Sequence, residues 1–124
     1  MIEEIVNREM EALGIPYQYW EFENLGDGIP DCYYVGEKLE GPSSQEDGRE
    51  SGTFILSGWC KAPAALQELR RFQRAVKDRF RDPLRVRTVA GAVVVEYSGT
   101  THVPSDAEGV HRLETNLNYY EWSV

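Results

Sequence analysis

The chain has 124 residues, 41% of them hydrophobic, with 3 Trp, 7 Tyr and 4 Phe, enough for one folded domain with a single core and too few for two. Its formal net charge is −8 and its pI about 4.7. No apolar run approaches the ~20 residues that cross a bilayer, and an acidic balance argues against a protein that coats phosphate backbones.

The first predicted element is a helix over residues 2–13, which places Ile2, Ile5, Val6, Met10 and Leu13 on one side. Gly14 stands where helices commonly end, and Pro16 prevents continuation. This acidic, amphipathic start is unlike the cationic and continuously apolar start of a secretory signal. Residues 17–22 read as an aromatic strand. A turn over residues 24–28 leads to a second strand over 31–39, carrying Tyr33, Tyr34 and Val35. Residues 40–52, EGPSSQEDGRESG, hold no apolar side chain and read as a mobile loop. Residues 53–60 alternate cleanly and reach Trp59, which marks a central strand.

A long amphipathic helix follows over residues 63–81, with Pro63 in its first turn, where a missing N–H does no harm. Ala65, Leu69, Phe72, Val76 and Phe80 share a narrow arc at 100° per residue. After Asp82-Pro83, residues 84–89 and 92–98 read as a hairpin turning near Gly91. Residues 99–109, GTTHVPSDAEG, are expected to form a second mobile loop. The last strand, 112–122, sets Leu113, Thr115, Leu117 and Tyr119 on one side against Arg112, Glu114, Asn116 and Asn118 on the other. The order α-β-β-β-α-β-β-β predicts one α+β domain over residues 1–124. Its sheet is mostly antiparallel, of about four to six strands, with two helices packed on one face.

Charge is segregated along the chain. Residues 1–50 carry a net −10, residues 61–87 a net +6 and residues 88–124 a net −4. Within the basic segment, Arg70, Arg74, Lys77 and Arg81 stack into one stripe on the second helix. Like charges at i,i+4 cost about 0.2–0.5 kcal/mol per pair in an isolated helix, so such a column calls for an acidic partner. Two partners fit: an acidic surface of another copy, or the acidic remainder of the same subunit.

The residues offer little for bond-making chemistry. His102 and His111 are the only histidines, and with Asp106 they make at most a loose His-Asp-His, short of a tetrahedral metal site. Cys32 and Cys60 have no metal-ligand spacing and form no disulfide framework, which suits a reduced, cytosolic setting. Cys60 beside Trp59 at a strand end reads as a buried, inert thiol rather than a nucleophile. The glycines are isolated turn residues, without a phosphate-cradling loop. The segment RRFQRAVKDRFR, residues 70–81, interleaves basic and aromatic residues, but Phe72 and Phe80 belong to the core-facing stripe and leave no stacking surface beside the arginines. No enzyme activity and no cofactor are expected.

Aromatic side chains are the better clue to interaction. Tyr17 and Tyr19 alternate against Trp20 and Phe22, while Tyr120 and Trp122 fall on the polar face of the last strand. With two helices committed to one core, aromatics on both sheet faces point to a protein partner on the other face or at an edge. Arg70, Arg74, Lys77, Arg81, Tyr120 and Trp122 are the candidate interaction residues.

The sequence of pieces resembles the tail-terminator (tail-completion, head-to-tail joining) proteins of tailed bacteriophages and prophages. The likeness lies in an opening helix running into Gly14-Ile15-Pro16, an aromatic strand, and a proline-led strand from Pro30 to Val35. It continues through a polar acidic loop into SGTFILSGWC and closes on RLETNLNYYEW. It covers nearly the whole chain as a pattern, without a short diagnostic motif. The resemblance implies an α+β subunit that closes into a ring, commonly six-fold, caps the tail tube and joins it to the head. The implied partners are copies of itself, tail-tube and neck proteins, and at most passing genomic DNA, with no membrane and no sequence-specific nucleic acid. The implied location is the virion tail or neck, with the host cytoplasm before assembly. The hairpin near Gly91 and the long 99–109 segment depart from the pattern and leave room for a neck or other minor tail role. A non-phage intracellular adaptor is a further alternative.

Overall fold

The computed structural model describes residues 1–21, 30–41, 49–61, 66–103 and 110–123. Among the described residues two helices and six strands follow one another as α1 (Ile2–Ala12), β1 (Tyr17–Tyr19), β2 (Cys32–Glu40), β3 (Arg49–Cys60), α2 (Leu66–Arg81), β4 (Leu84–Thr88), β5 (Gly91–Val103) and β6 (His111–Ser123). The strands form one sheet in the order β1-β2-β3-β6-β5-β4. The α-β-β-β-α-β-β-β order and the α+β class agree with the sequence pattern. The sheet is mixed, however: β1 runs parallel to β2, with Tyr17 opposite Tyr34 and Tyr19 opposite Gly36, and every other pair is antiparallel. Side-chain alternation is the same in either sense, so the direction of a short edge strand is not written in its pattern.

The helix stop is as local chemistry dictates. Gly14 takes φ +71°, its N–H donates to Glu11 O, and Ile15 N–H donates to Met10 O. These paired bonds cap the last carbonyls of α1 and favour glycine, whose missing Cβ removes the penalty of that conformation.

The core lies on one sheet face, between it and the two helices. Ile2, Ile5, Val6 and Met10 of α1 and Leu69, Phe72, Val76 and Phe80 of α2 join Cys32 and Tyr34 of β2, Phe54, Leu56 and Cys60 of β3, Val93 and Val95 of β5, and Leu113, Leu117 and Tyr119 of β6. All belong to one buried cluster. The helices are tied to this face by polar contacts as well. Glu121 of β6 accepts a hydrogen bond from Ile2 N–H at 2.7 Å, satisfying a donor in the first turn of α1. Lys38 of β2 pairs with Glu3 at 3.2 Å, and Arg79 of α2 holds Glu9 of α1 at 2.7 Å.

Three predicted boundaries need correction. Residues 49–52, assigned to a loop for want of apolar side chains, are strand: Arg49 lies opposite Trp122 and Gly52 opposite Tyr119. Residues 99–103, likewise assigned to a loop, continue β5 beyond an irregularity between Tyr97 and Gly99 and pair with Asn116 through Arg112. In both places a long β6 supplies backbone partners, and ladder hydrogen bonds are indifferent to side-chain polarity. Conversely, the first strand stops at Tyr19, because Trp20 takes φ 75° and turns the chain away. Glu40, the first residue of the 40–52 loop assignment, is likewise strand and ends β2, whereas residues 42–48 and 104–109 lie outside the described residues, as do Phe22, the 24–28 turn, Pro63 and Ala65.

Candidate functional site

The predicted interaction residues fall on opposite sides of the molecule. Arg70, Arg74, Lys77 and Arg81 are exposed along the outer side of α2, as the helical spacing requires once Leu69, Phe72, Val76 and Phe80 are buried. Tyr120 and Trp122 stand on the sheet face that neither helix covers. The structure does not bring the two groups together.

Of the four cations in the stripe, Lys77 lies over the Tyr97 ring at 5.7 Å. Among the described residues Arg70, Arg74 and Arg81 make no ion pair, although Arg71 and Arg79 on the same helix do, with Glu68 and Glu9. Arg70 and Arg74 flank a groove of about 480 Å³ between α2 and the strand ends, lined also by Gln67, Gln73, Thr100 and Leu113. Its polar wall is organised: Gln73 Nε2 donates to Thr100 Oγ1 at 3.0 Å, and Thr100 also bonds the hydroxyls of Tyr97 and Thr115 at 2.8 and 3.2 Å. The groove therefore presents fixed dipoles and two guanidinium groups that are uncompensated among the described residues, a surface suited to carboxylates.

The helix-free face is built row by row from the strand register. At one end Arg49, Trp122, Ala92 and Arg87 line up across β3, β6, β5 and β4, and beside them Ser51, Tyr120, Val94 and Arg85. The Arg49 guanidinium lies over the Tyr120 ring at 5.4 Å. At the other end Tyr33, Trp59, Arg112 and Val103 form a row across β2, β3, β6 and β5. Arg112 stacks over Trp59 at 4.8 Å, donates to Ser57 Oγ at 3.2 Å and reaches Glu114 at 3.7 Å. Lys61 approaches the Tyr33 ring at 5.9 Å.

At this second end the sheet carries a cleft of about 350 Å³ lined by Trp20, Glu21, Tyr33, Val35, Glu37, Ser57, Trp59 and Arg112. Trp20 is held there by its backbone. Its N–H donates to Gly36 O at 2.7 Å, while Glu21 N–H closes back on Tyr19 O at 3.0 Å, so that Trp20 is the central residue of a tight three-residue turn. A tryptophan at φ 75° is an uncommon arrangement, and the indole it presents is 66% exposed. This cleft was not among the sequence-predicted sites. Trp20 comes from the turn after β1, Tyr33 from β2 and Trp59 from β3, and only the register of β2 on β3 places the last two side by side.

The remaining sequence candidates separate from both surfaces. Cys32 and Cys60 lie directly opposite one another on β2 and β3, buried and without a disulfide. Burial, and then the neighbouring Cys60, push the Cys32 thiol up to about 12, far from the range of a reactive thiolate. His102 and His111 stack with ring centroids 6.3 Å apart, and Asp106 lies outside the described residues. Among the described residues no group of three or more His, Cys, Asp and Glu side chains is placed to hold a metal ion. None of the described helices is long and apolar enough to cross a membrane. Comparison with protein-family models and with curated proteins gave no match.

Proposed function

We propose that this chain is a structural assembly subunit of the tail-terminator kind, which works by binding copies of itself and neighbouring proteins, with no bond made or broken. The observation that carries this reading is the α2 stripe. Arg70, Arg74 and Arg81 stay unpaired among the described residues of a chain whose net charge is −8. An acidic protein that leaves arginines aligned and uncompensated has a surface ready for a carboxylate-bearing partner. Ring closure requires two different patches that meet repeatedly, and the basic side of α2 and the aromatic sheet face are two such patches on opposite sides of the fold.

In this reading the ring caps a tail tube and presents its other side to neck proteins. The aromatic face favours one alternative, an adaptor that docks a single partner and does not associate with itself. Sedimentation velocity at low and high salt, on the wild type and on an Arg70→Glu/Arg74→Glu variant, separates them. Assembly that weakens with salt and is lost in the variant is expected, because exposed pairs are screened within about 10 Å at 0.1 M salt. A wild type that remains monomeric at every concentration and salt refutes self-assembly and favours the adaptor.

A further inference from the structure

The cleft at Trp20, Tyr33 and Trp59 combines aromatic walls with carboxylates. Four charged groups bear on it. Arg112 is already engaged by Trp59, Ser57 and Glu114, and Lys61 faces the Tyr33 ring. Glu21 and Glu37 are exposed and make no ion pair among the described residues. The cleft's uncompensated charge is therefore negative, and its open aromatic surface is the indole of Trp20. An aromatic face beside carboxylates is a receptor for an organic cation, with a planar guanidinium the best fit. Arg112 over Trp59 displays this very packing inside the subunit.

The chain itself carries the complementary group. Arg70 and Arg74 make no ion pair among the described residues and stand beside their groove on α2, on the far side of the sheet from the cleft, so no single copy can join the two. We propose that the cleft receives an arginine of the α2 stripe from a second copy, with Glu21 and Glu37 as its counter-charges and Trp20 as its stacking surface. This rests on the self-assembly reading and names its acceptor. The contact is head-to-tail, since each copy offers a cleft and a stripe to different neighbours, and such a contact propagates until the rotation closes a ring.

The test uses intact protein in four forms: wild type, a cleft variant Glu21→Lys/Glu37→Lys, a stripe variant Arg70→Glu/Arg74→Glu, and Trp20→Ala. All substituted side chains are exposed, and unchanged urea midpoints establish that each variant folds. Sedimentation velocity is expected to show wild-type assembly and monomers for the cleft and stripe variants alone. Trp20→Ala should associate at least about tenfold more weakly, as the loss of a central aromatic anchor does at interfaces. The four substitutions combined in one chain, which exchange the charges, should restore assembly. A cleft variant that assembles like the wild type, or a combined variant that stays monomeric while wild type assembles, overturns the cleft as acceptor and leaves self-assembly standing. A wild type that never associates overturns both.

Discussion

Gly58 in the middle of β3 offers the sharpest test of how the helices sit on the sheet. A Cβ at this position would lie 2.6 Å from Cζ and 2.7 Å from Cε1 of Tyr34, and 2.8 Å from Cδ1 of Leu69. Carbon atoms pack at about 3.5–4.0 Å, so both neighbours would have to retreat by roughly 1 Å. Tyr34 and Leu69 are fully buried, with no free space beside solvent to retreat into. Overpacking of this kind costs about 1–3 kcal/mol, while replacing glycine within a strand returns roughly 0.5–1 kcal/mol of backbone entropy. The expected net loss for Gly58→Ala is about 1–2 kcal/mol, or a fall in Tm of roughly 4–8 °C at this chain length. Gly99 is the control, because nothing lies within 4 Å of its Cβ position and its φ is not left-handed. Gly99→Ala should be neutral, or stabilising by up to about 1 kcal/mol. Urea unfolding reads both, as a lowered midpoint with unchanged slope for Gly58→Ala alone. A Gly58→Ala protein as stable as wild type would refute the packing of α2 on β2 and β3, and equal losses in both variants would refute the steric cause.

Two further measurements follow. Burial raises the Glu3 carboxyl, but its backbone hydrogen bond and Lys38 pull harder, so it sits below the usual carboxylate range. Its contribution is therefore complete above the unfolded value of about 4.3 and fades as pH falls through the lower folded value. The urea midpoints of wild type and Lys38→Met should accordingly differ at neutral pH and converge in acid, and a gap that stays constant down to about pH 2 would show that this pair does not join α1 to β2. The thiols give the other test: with Cys32 and Cys60 both buried and Cys32 pushed up to about 12, native protein should react with Ellman's reagent far more slowly than protein in guanidinium. Rapid modification of either thiol in the native state would refute the closed end of the β2–β3 ladder.

Much of the proposed interaction surface was legible locally, and its proposed complement was not. The spacing of Leu69, Phe72, Val76 and Phe80 fixes which side of α2 is buried, and hence that Arg70, Arg74, Lys77 and Arg81 point outward. The same logic puts Tyr120 and Trp122 opposite Leu117 and Tyr119 on β6. The cleft is different in kind. Tyr33 and Trp59 are far apart in the chain, and they become neighbours because Cys32 pairs with Cys60; a slip of one residue would send one of them to the core face. Trp20 reaches the cleft through a backbone angle that no propensity foretells.

The amino-acid order alone determined the succession of helices and strands, the stop at Gly14, the buried stripe of each helix and the alternation of β6, because each follows from periodicity within a short window. Tertiary structure decided the parallel docking of β1, the extension of β3 and β5 through polar residues 49–52 and 99–103, and the meeting of three aromatic residues in one recess. Those outcomes depend on backbone hydrogen bonds between distant segments. Such bonds pair N–H with C=O whatever the side chains are, so they leave no local trace in the sequence.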